Sequence, residues 1–177
     1  TDHLYAFGGG LACIGNIILR HNTIEGNSSI QTTSSTGSSV GSGGLLCEGE
    51  PYPVSDMRIQ DNKISNNTIS AENPDVTNSI GAGAFFKSVK LTCSGNEFTG
   101  NKITDPANWV AGGGMNCESL ALGSVISGNT FRNNVSTNLA GGMFVGWTHG
   151  YMKIENNYFF NNWHFILPSL VVVGHYS

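Results

Sequence analysis

A chain of 177 residues with 39% hydrophobic content and a net charge of −4 is long enough for one folded unit and too apolar for a disordered one. Only 11% of its residues are charged and 24 are glycine, which excludes a fold built on ion pairs or amphipathic helices and favours short strands joined by tight turns. Eight scattered Lys and Arg offer no basic stripe to nucleic acid, and no apolar run reaches the roughly 20 residues of a membrane-crossing helix.

In chain order the sequence enters a repeat at once. Tyr5-Ala-Phe leads into Gly9-Gly10-Leu11, and the signature returns as Gly43-Gly44-Leu45, Gly83-Ala84-Phe85, Gly113-Gly114-Met115 and Gly141-Gly142-Met143. Each cluster opens a predicted strand in which Leu11, Leu45, Ala84, Met115 and Met143 align. A second predicted strand alternates with period two. Its inward columns are Ile17, Met57, Leu91, Ser124, Met152 and Leu19, Ile59, Cys93, Ile126, Ile154; between them lie Ile18, Arg58, Thr92, Val125 and Lys153.

That strand runs into Asn22, Asn62, Asn96, Asn129 or Asn157, which advance by 40, 34, 33 and 28 residues. Two residues on comes a further apolar column, Ile24, Ile64, Phe98, Phe131 and Phe159. A second Asn then follows at Asn27, Asn67, Asn101, Asn134 and Asn162. The stretches leading to the next glycine cluster, 28–43, 71–81, 104–112 and 135–140, vary in length and composition. Insertions on one flank of a repeat array commonly form its binding face.

Repeats of this period are supersecondary units that bury their apolar faces only by stacking. The expected architecture is all-β: a right-handed parallel β-helix of about five to six coils, each with two or three strands of three to five residues. The hand follows from that of parallel crossovers. A helical solenoid also has periods near 34, but these segments lack 3.6-residue periodicity. Residues 1–177 form a single domain, with a repeat core over about 8–162 and a C-terminal apolar strand or cap over 163–177. The Asn columns are expected to turn the chain in the left-handed conformation and to hydrogen-bond as amide ladders, with Gly26, Gly95, Gly100 and Gly128 supplying positive φ beside them.

The Phe98-Thr-Gly-Asn101, Phe131-Arg-Asn-Asn134 and Phe159-Phe-Asn-Asn162 segments, together with the glycine clusters, resemble the Phe-x-x-Asn and Gly-Gly-Ala-apolar repeats of chlamydial polymorphic membrane proteins. Ile24 and Ile64 replace Phe in the first two copies, and Leu or Met stands where those repeats carry Ala. The chain is also similar to the broad class of secreted right-handed parallel β-helix repeat proteins. The resemblance spans about residues 8–162 and implies a secreted or surface-exposed adhesion or scaffold role. The β-barrel translocator of those surface proteins has no counterpart in the sequence.

Catalysis on a β-helix calls for clustered carboxylates, with a nearby Arg or Lys. The outward columns hold no stacked pair of acids, and Ile14, Glu48, Lys87, Glu118 and Gly146 read as a cross-strand charge ladder. His21 beside Asp61 on adjacent coils, near Arg20 and Arg58, is the one weak acid/base candidate. His3, His149, His164 and His175 lack metal-ligand spacing, and with no Cys-x-x-Cys neither a metal nor a cofactor is expected. Cys13, Cys47 and Cys117 share an apolar column with Phe86 and Val145, so buried free thiols are expected there and at Cys93. A Cys13–Cys47 disulfide would need an awkward torsion. Trp109 and Trp147 are either sugar-stacking platforms or covers for an apolar edge. Thr32, Thr33 and Thr36 cluster in one loop rather than along a column, which sets ice binding aside. Asn27, Asn66 and Asn134 begin Asn-x-Ser/Thr sequons, so N-glycosylation is open at these three positions.

The start on Thr1 leaves no targeting segment to read and suggests a processed form or an excised piece. Trp163, Phe165 and the Leu170-Val-Val-Val173 run make the tail apolar and β-prone, and neither end reads as a capping helix. Head-to-tail self-association, which yields filaments when it does not close, is one expected partnership; neighbouring repeats of a longer chain are the other. The function expected is a non-catalytic extracellular or cell-surface structural and adhesive role. The alternative is a carbohydrate-active β-helix, lyase-like or glycan-binding, with a glycan as partner.

Overall fold

The computed structural model describes residues 5–7, 9–31, 39–49, 54–71, 78–104, 109–164 and 169–174. His3, His175, Thr32, Thr33, Thr36, Phe165 and the middles of the three longer insertions lie outside the described residues, as does the side chain of Trp109.

Among the described residues the chain is all-β, without a helix, and every strand pairing is parallel. The strands fall into five sheets, numbered here in the order the chain meets them. Sheet 1 holds Tyr5–Phe7, Ser39–Gly41, Asn78–Ile80 and Trp109–Ala111. Sheet 2 holds Leu11–Ile14, Leu45–Glu48, Ala84–Lys87, Met115–Glu118, Met143–Thr148 and Leu170–Gly174. Sheet 3 holds Ile17–Arg20, Ser55–Gln60, Val89–Ser94, Val125–Ser127 and Lys153–Glu155. Sheet 4 holds Thr23–Glu25, Lys63–Ser65, Glu97–Thr99, Thr130–Arg132 and Tyr158–Phe160. Sheet 5 holds Ser28–Gln31, Thr68–Ala71 and Lys102–Ile103, and continues as single bridges through Val135 to Trp163. The chain visits the sheets in the same order on each pass, laying one strand beside its predecessor, an arrangement compatible with a parallel β-helix.

Five sheets, rather than two or three strands per repeat, arise because most corners need only one left-handed residue. His21, Asp61, Gly95, Gly128 and Asn156 turn the chain from sheet 3 into sheet 4, with φ of 56, 55, 66, 64 and 54°. Gly26, Asn66, Gly100, Asn133 and Asn161 turn it onward, with φ of 69, 55, 66, 56 and 54°. In every case the turning residue stands immediately before the repeated Asn. The expectation that the repeated Asn makes the turn is corrected here. Asn, Asp, His and Gly at the preceding position tolerate positive φ, which frees the repeated Asn to point inward.

The core lies between sheets 2, 3 and 4, and its columns are the apolar ones of the repeat. Phe98, Phe131 and Phe159 stack face to face, with ring centroids 4.8 Å apart at each step. That is the interstrand spacing of a sheet, so the rings stack because their strands do. Ser124, polar in an apolar column, is buried because its Oγ accepts from Leu91 N–H at 3.0 Å and donates to Ala121 O at 2.7 Å. A second apolar layer covers the other face of sheet 2, where Leu46, Phe85 and Phe144 pack with Ile80, Ala111, Leu139 and Ala140. No described helix is long and apolar enough to cross a membrane.

Candidate functional site

The most organised polar feature of the molecule is a pair of asparagine ladders inside the stack. One runs Asn22–Asn62–Asn96–Asn129–Asn157 and the other Asn27–Asn67–Asn101–Asn134–Asn162. At each step one carboxamide oxygen accepts two bonds from the preceding layer. Asn67 shows the pattern: its backbone N–H and its Nδ2–H each donate to Asn101 Oδ1 at 3.0 Å. The other Nδ2 hydrogen donates backwards to Ile24 O, also at 3.0 Å. Asn62, Asn67, Asn96, Asn101, Asn129 and Asn134 are buried. A buried amide stripped of partners costs about 1–3 kcal/mol per group, so the bonds on both sides of each are what permit these six amides to lie inside the stack.

The ladders have a polarity. Donors point toward the C-terminal layer and acceptors toward the N-terminal one. Among the described residues Asn22 Oδ1 and Asn27 Oδ1 therefore accept nothing, and the backbone N–H groups of Asn157 and Asn162 donate nothing. At the acceptor end a hollow of about 340 Å³ opens onto Leu11, Leu19, Ile24, Asn22 and Asn27, the inward columns of the first layer. At the donor end Phe159, Met152 and Ile154 are only partly covered. The two ends are thus complementary in hydrogen bonding and both apolar at the centre.

The ladder corrects the glycosylation expectation at Asn134, whose amide is buried and whose Nδ2 donates to Phe98 O and Asn162 Oδ1, both at 2.9 Å. The Asn27 amide is engaged with Asn67 Oδ1 at 2.9 Å. Asn66 is exposed at a turn, its Nδ2 donating to Glu25 Oε1 at 3.0 Å. Of the three sequons, only the one at Asn66 lies open in the folded chain.

His21 and Asp61 occupy equivalent turn positions on adjacent layers, both exposed and both at positive φ. No hydrogen bond or ion pair joins them among the described residues, and Arg58 pairs instead with Asp56 at 3.6 Å. The four cysteines are free. Burial raises the Cys47 and Cys117 thiols and pushes Cys93 up to about 12, which leaves them protonated and poorly nucleophilic. No group of three or more described His, Cys, Asp or Glu side chains could hold a metal ion.

The charge ladder of sheet 2 is asymmetric. Lys87 pairs with Glu48 at 3.4 Å, whereas Glu118 accepts from Asn116 Nδ2 at 3.2 Å. Burial pushes the Glu118 carboxyl above its ordinary value, against the weaker pull of Asn116 and Lys87. The native chain then binds this proton more tightly than the unfolded chain, so stability falls as pH rises from the ordinary Glu range through the raised value. A Glu118→Gln chain is expected to melt above the parent at neutral pH, with the gap closing at acid pH. Paired thermal scans across that range check it, and a gap independent of pH would contradict the assignment.

Comparison with protein-family models, with curated proteins and with solved structures returned no match for this chain.

Proposed function

We propose that this chain is a block of a right-handed parallel β-helix, of about five to six coils, with a non-catalytic structural and adhesive role outside the cell or at its surface, and that it extends by stacking end to end. The observation that carries the reading is the polarity of the asparagine ladders: one end offers unused carboxamide acceptors and the other unused N–H donors, over apolar centres. A second copy, placed donor end to acceptor end and displacing Leu170–Gly174 from its pairing with Met143–Thr148, continues both ladders and the strands of sheets 3 and 4 at the spacing the stack already uses. Further repeats of a longer chain would present the same surface. The chlamydial-like repeats at Phe98, Phe131 and Phe159 point to the same setting.

Leu19 lines the acceptor-end hollow and is only partly buried, so Leu19→Lys places a charge at the proposed junction without entering the deep core. The parent chain is expected to scatter light as multiples of 18.7 kDa that grow with concentration and to form uniform filaments in negative stain, whereas the Leu19→Lys chain stays at one unit. A parent chain that remains monomeric at every accessible concentration would overturn end-to-end stacking.

A further inference from the structure

The corner between sheets 2 and 3 is uneven from layer to layer, and the unevenness builds a groove. In the third layer the chain turns from Lys87 to Val89 through Ser88 alone, at φ 55°. In the fourth layer it leaves Glu118 through Ser119, tucks Leu120 into the core, and bulges outward over Ala121 and Leu122 before Ser124 restores the register. The fifth layer follows that bulge, with His149 N–H bonded to Leu120 O at 2.9 Å and Gly123 N–H to Tyr151 O at 2.9 Å. In the second layer Val54 stands just before the sheet 3 strand Ser55–Gln60. The tight third-layer corner beside the wide fourth-layer one, with Val54 of the second layer also lining it, leaves a cleft of about 520 Å³, within the range of small-ligand sites.

Its lining combines two chemistries. Ser88, Ser119, Lys90 and His149 supply polar groups, and Val54, Ala121 and Leu122 supply apolar ones. Lys90 is exposed and makes no ion pair among the described residues. Its neighbour in register, Asp56, is already held by Arg58, and Lys87 in the same layer is held by Glu48. An uncommitted cation in a chain of net charge −4 marks the spot for an anion. Two residues to either side of the lining residue His149 stand aromatic groups of the fifth layer: Tyr151 is exposed, and Trp147 continues the corner column of Ser88 and Ser119. Trp147 is half-exposed and sits at φ 51° with its ring edge-on to Phe144. Gly15, Ser88 and Ser119 hold the same left-handed corner in other layers. A bulky residue rarely adopts that conformation, and such outliers concentrate at binding sites.

We propose that this cleft binds an acidic saccharide, with Lys90 facing its carboxylate, Ser88 and Ser119 its hydroxyls, and Trp147 and Tyr151 stacking on the apolar face of a neighbouring ring. An aromatic ring beside hydroxyls and a single cation matches the alternation of apolar ring face, hydroxyl and charge along such a chain. The inference rests on the adhesive part of the proposed function and is independent of end-to-end stacking.

The test is calorimetric titration of the chain carrying Leu19→Lys, to keep it a single unit, with a galacturonate hexamer and with the same hexamer methyl-esterified. The acidic hexamer is expected to bind at least tenfold more tightly than the ester. Lys90→Met should abolish that discrimination. Trp147→Ser, which installs the residue found at the two preceding corners, should weaken binding at least tenfold without lowering the melting temperature. No binding of either hexamer, equal affinity for both, or undiminished binding by the Lys90→Met chain would each overturn the proposal. A folded Leu19→Lys chain that binds while the parent fails to assemble would refute stacking and leave the cleft standing. The reverse result would refute the cleft alone.

Discussion

An Asn101→Ala chain is expected to lose at least about 2 kcal/mol of stability, the cost of leaving two buried groups without partners at about 1 kcal/mol or more each. The groups are Asn67 N–H and Asn67 Nδ2–H, which both donate to Asn101 Oδ1 at 3.0 Å; Ile64 O also loses the Asn101 Nδ2 bond at 2.9 Å but stays in the ladder between Lys63–Ser65 and Glu97–Thr99. Asn101 has no exposed surface, so bulk solvent does not reach these groups directly. Folded domains hold only about 5–15 kcal/mol in total, so the transition should move far down in urea. Asn22→Ala gives the contrast. Asn22 stands at the open end, its side chain donating only to Arg20 O and Asn62 Oδ1, and water can take its place. Its loss should stay under about 1 kcal/mol. Equal midpoint shifts for the two variants would show that the ladder does not act as a buried network.

The same comparison explains what sequence reading could reach. Ten Asn residues at matching offsets, with the Leu11-to-Met143 and Phe98-to-Phe159 columns, are visible because stacking repeats each inward position once per pass. The pairings Leu11↔Leu45, Phe86↔Cys117 and Ile64↔Phe98 follow the columns read from the residues. The turn mechanism was less legible. Asn at a strand end suggests a left-handed turn, but His21, Asp61 and Gly95 already make it one residue earlier, and nothing local says which of two adjacent turn-formers will do so. One-residue corners also escaped, so neighbouring strands were merged. The second apolar layer of Leu46, Phe85 and Phe144 was missed because it alternates with a column that is itself buried, and period two then carries no polar signal. Trp147 drew attention by its type alone. Lys90, Ser88 and Ser119 did not, since the cleft they line exists only through the unequal corners of adjacent layers.

The glycine clusters set the other severe constraint, and it is one of space rather than of φ. A Cβ built on Gly83 would overlap Gly114 O in the next layer and lie 2.9 Å from Asn101 Nδ2. Gly44 and Gly114 face the same crowding, with the carbonyls of Gly83 and Gly142 each 2.5 Å from the added carbon. Backbone from adjacent layers and the second asparagine ladder meet on this column, and neither can retreat without opening the strands of sheet 2 that begin beside it. Gly83→Ala is therefore expected to cost about 3 kcal/mol or more, the upper range for an overpacked core. Gly26 is the informative opposite. It has positive φ but nothing within 4 Å of an added Cβ, and equivalent corners already carry Asn66, Asn133 and Asn161. Gly26→Asn should stay within about 0.5 kcal/mol of the parent, as ordinary surface substitutions do. Urea midpoints for the two variants separate the causes: a large loss at position 26 with a small one at 83 would mean that backbone conformation, not the close approach of stacked layers, is why this chain is rich in glycine.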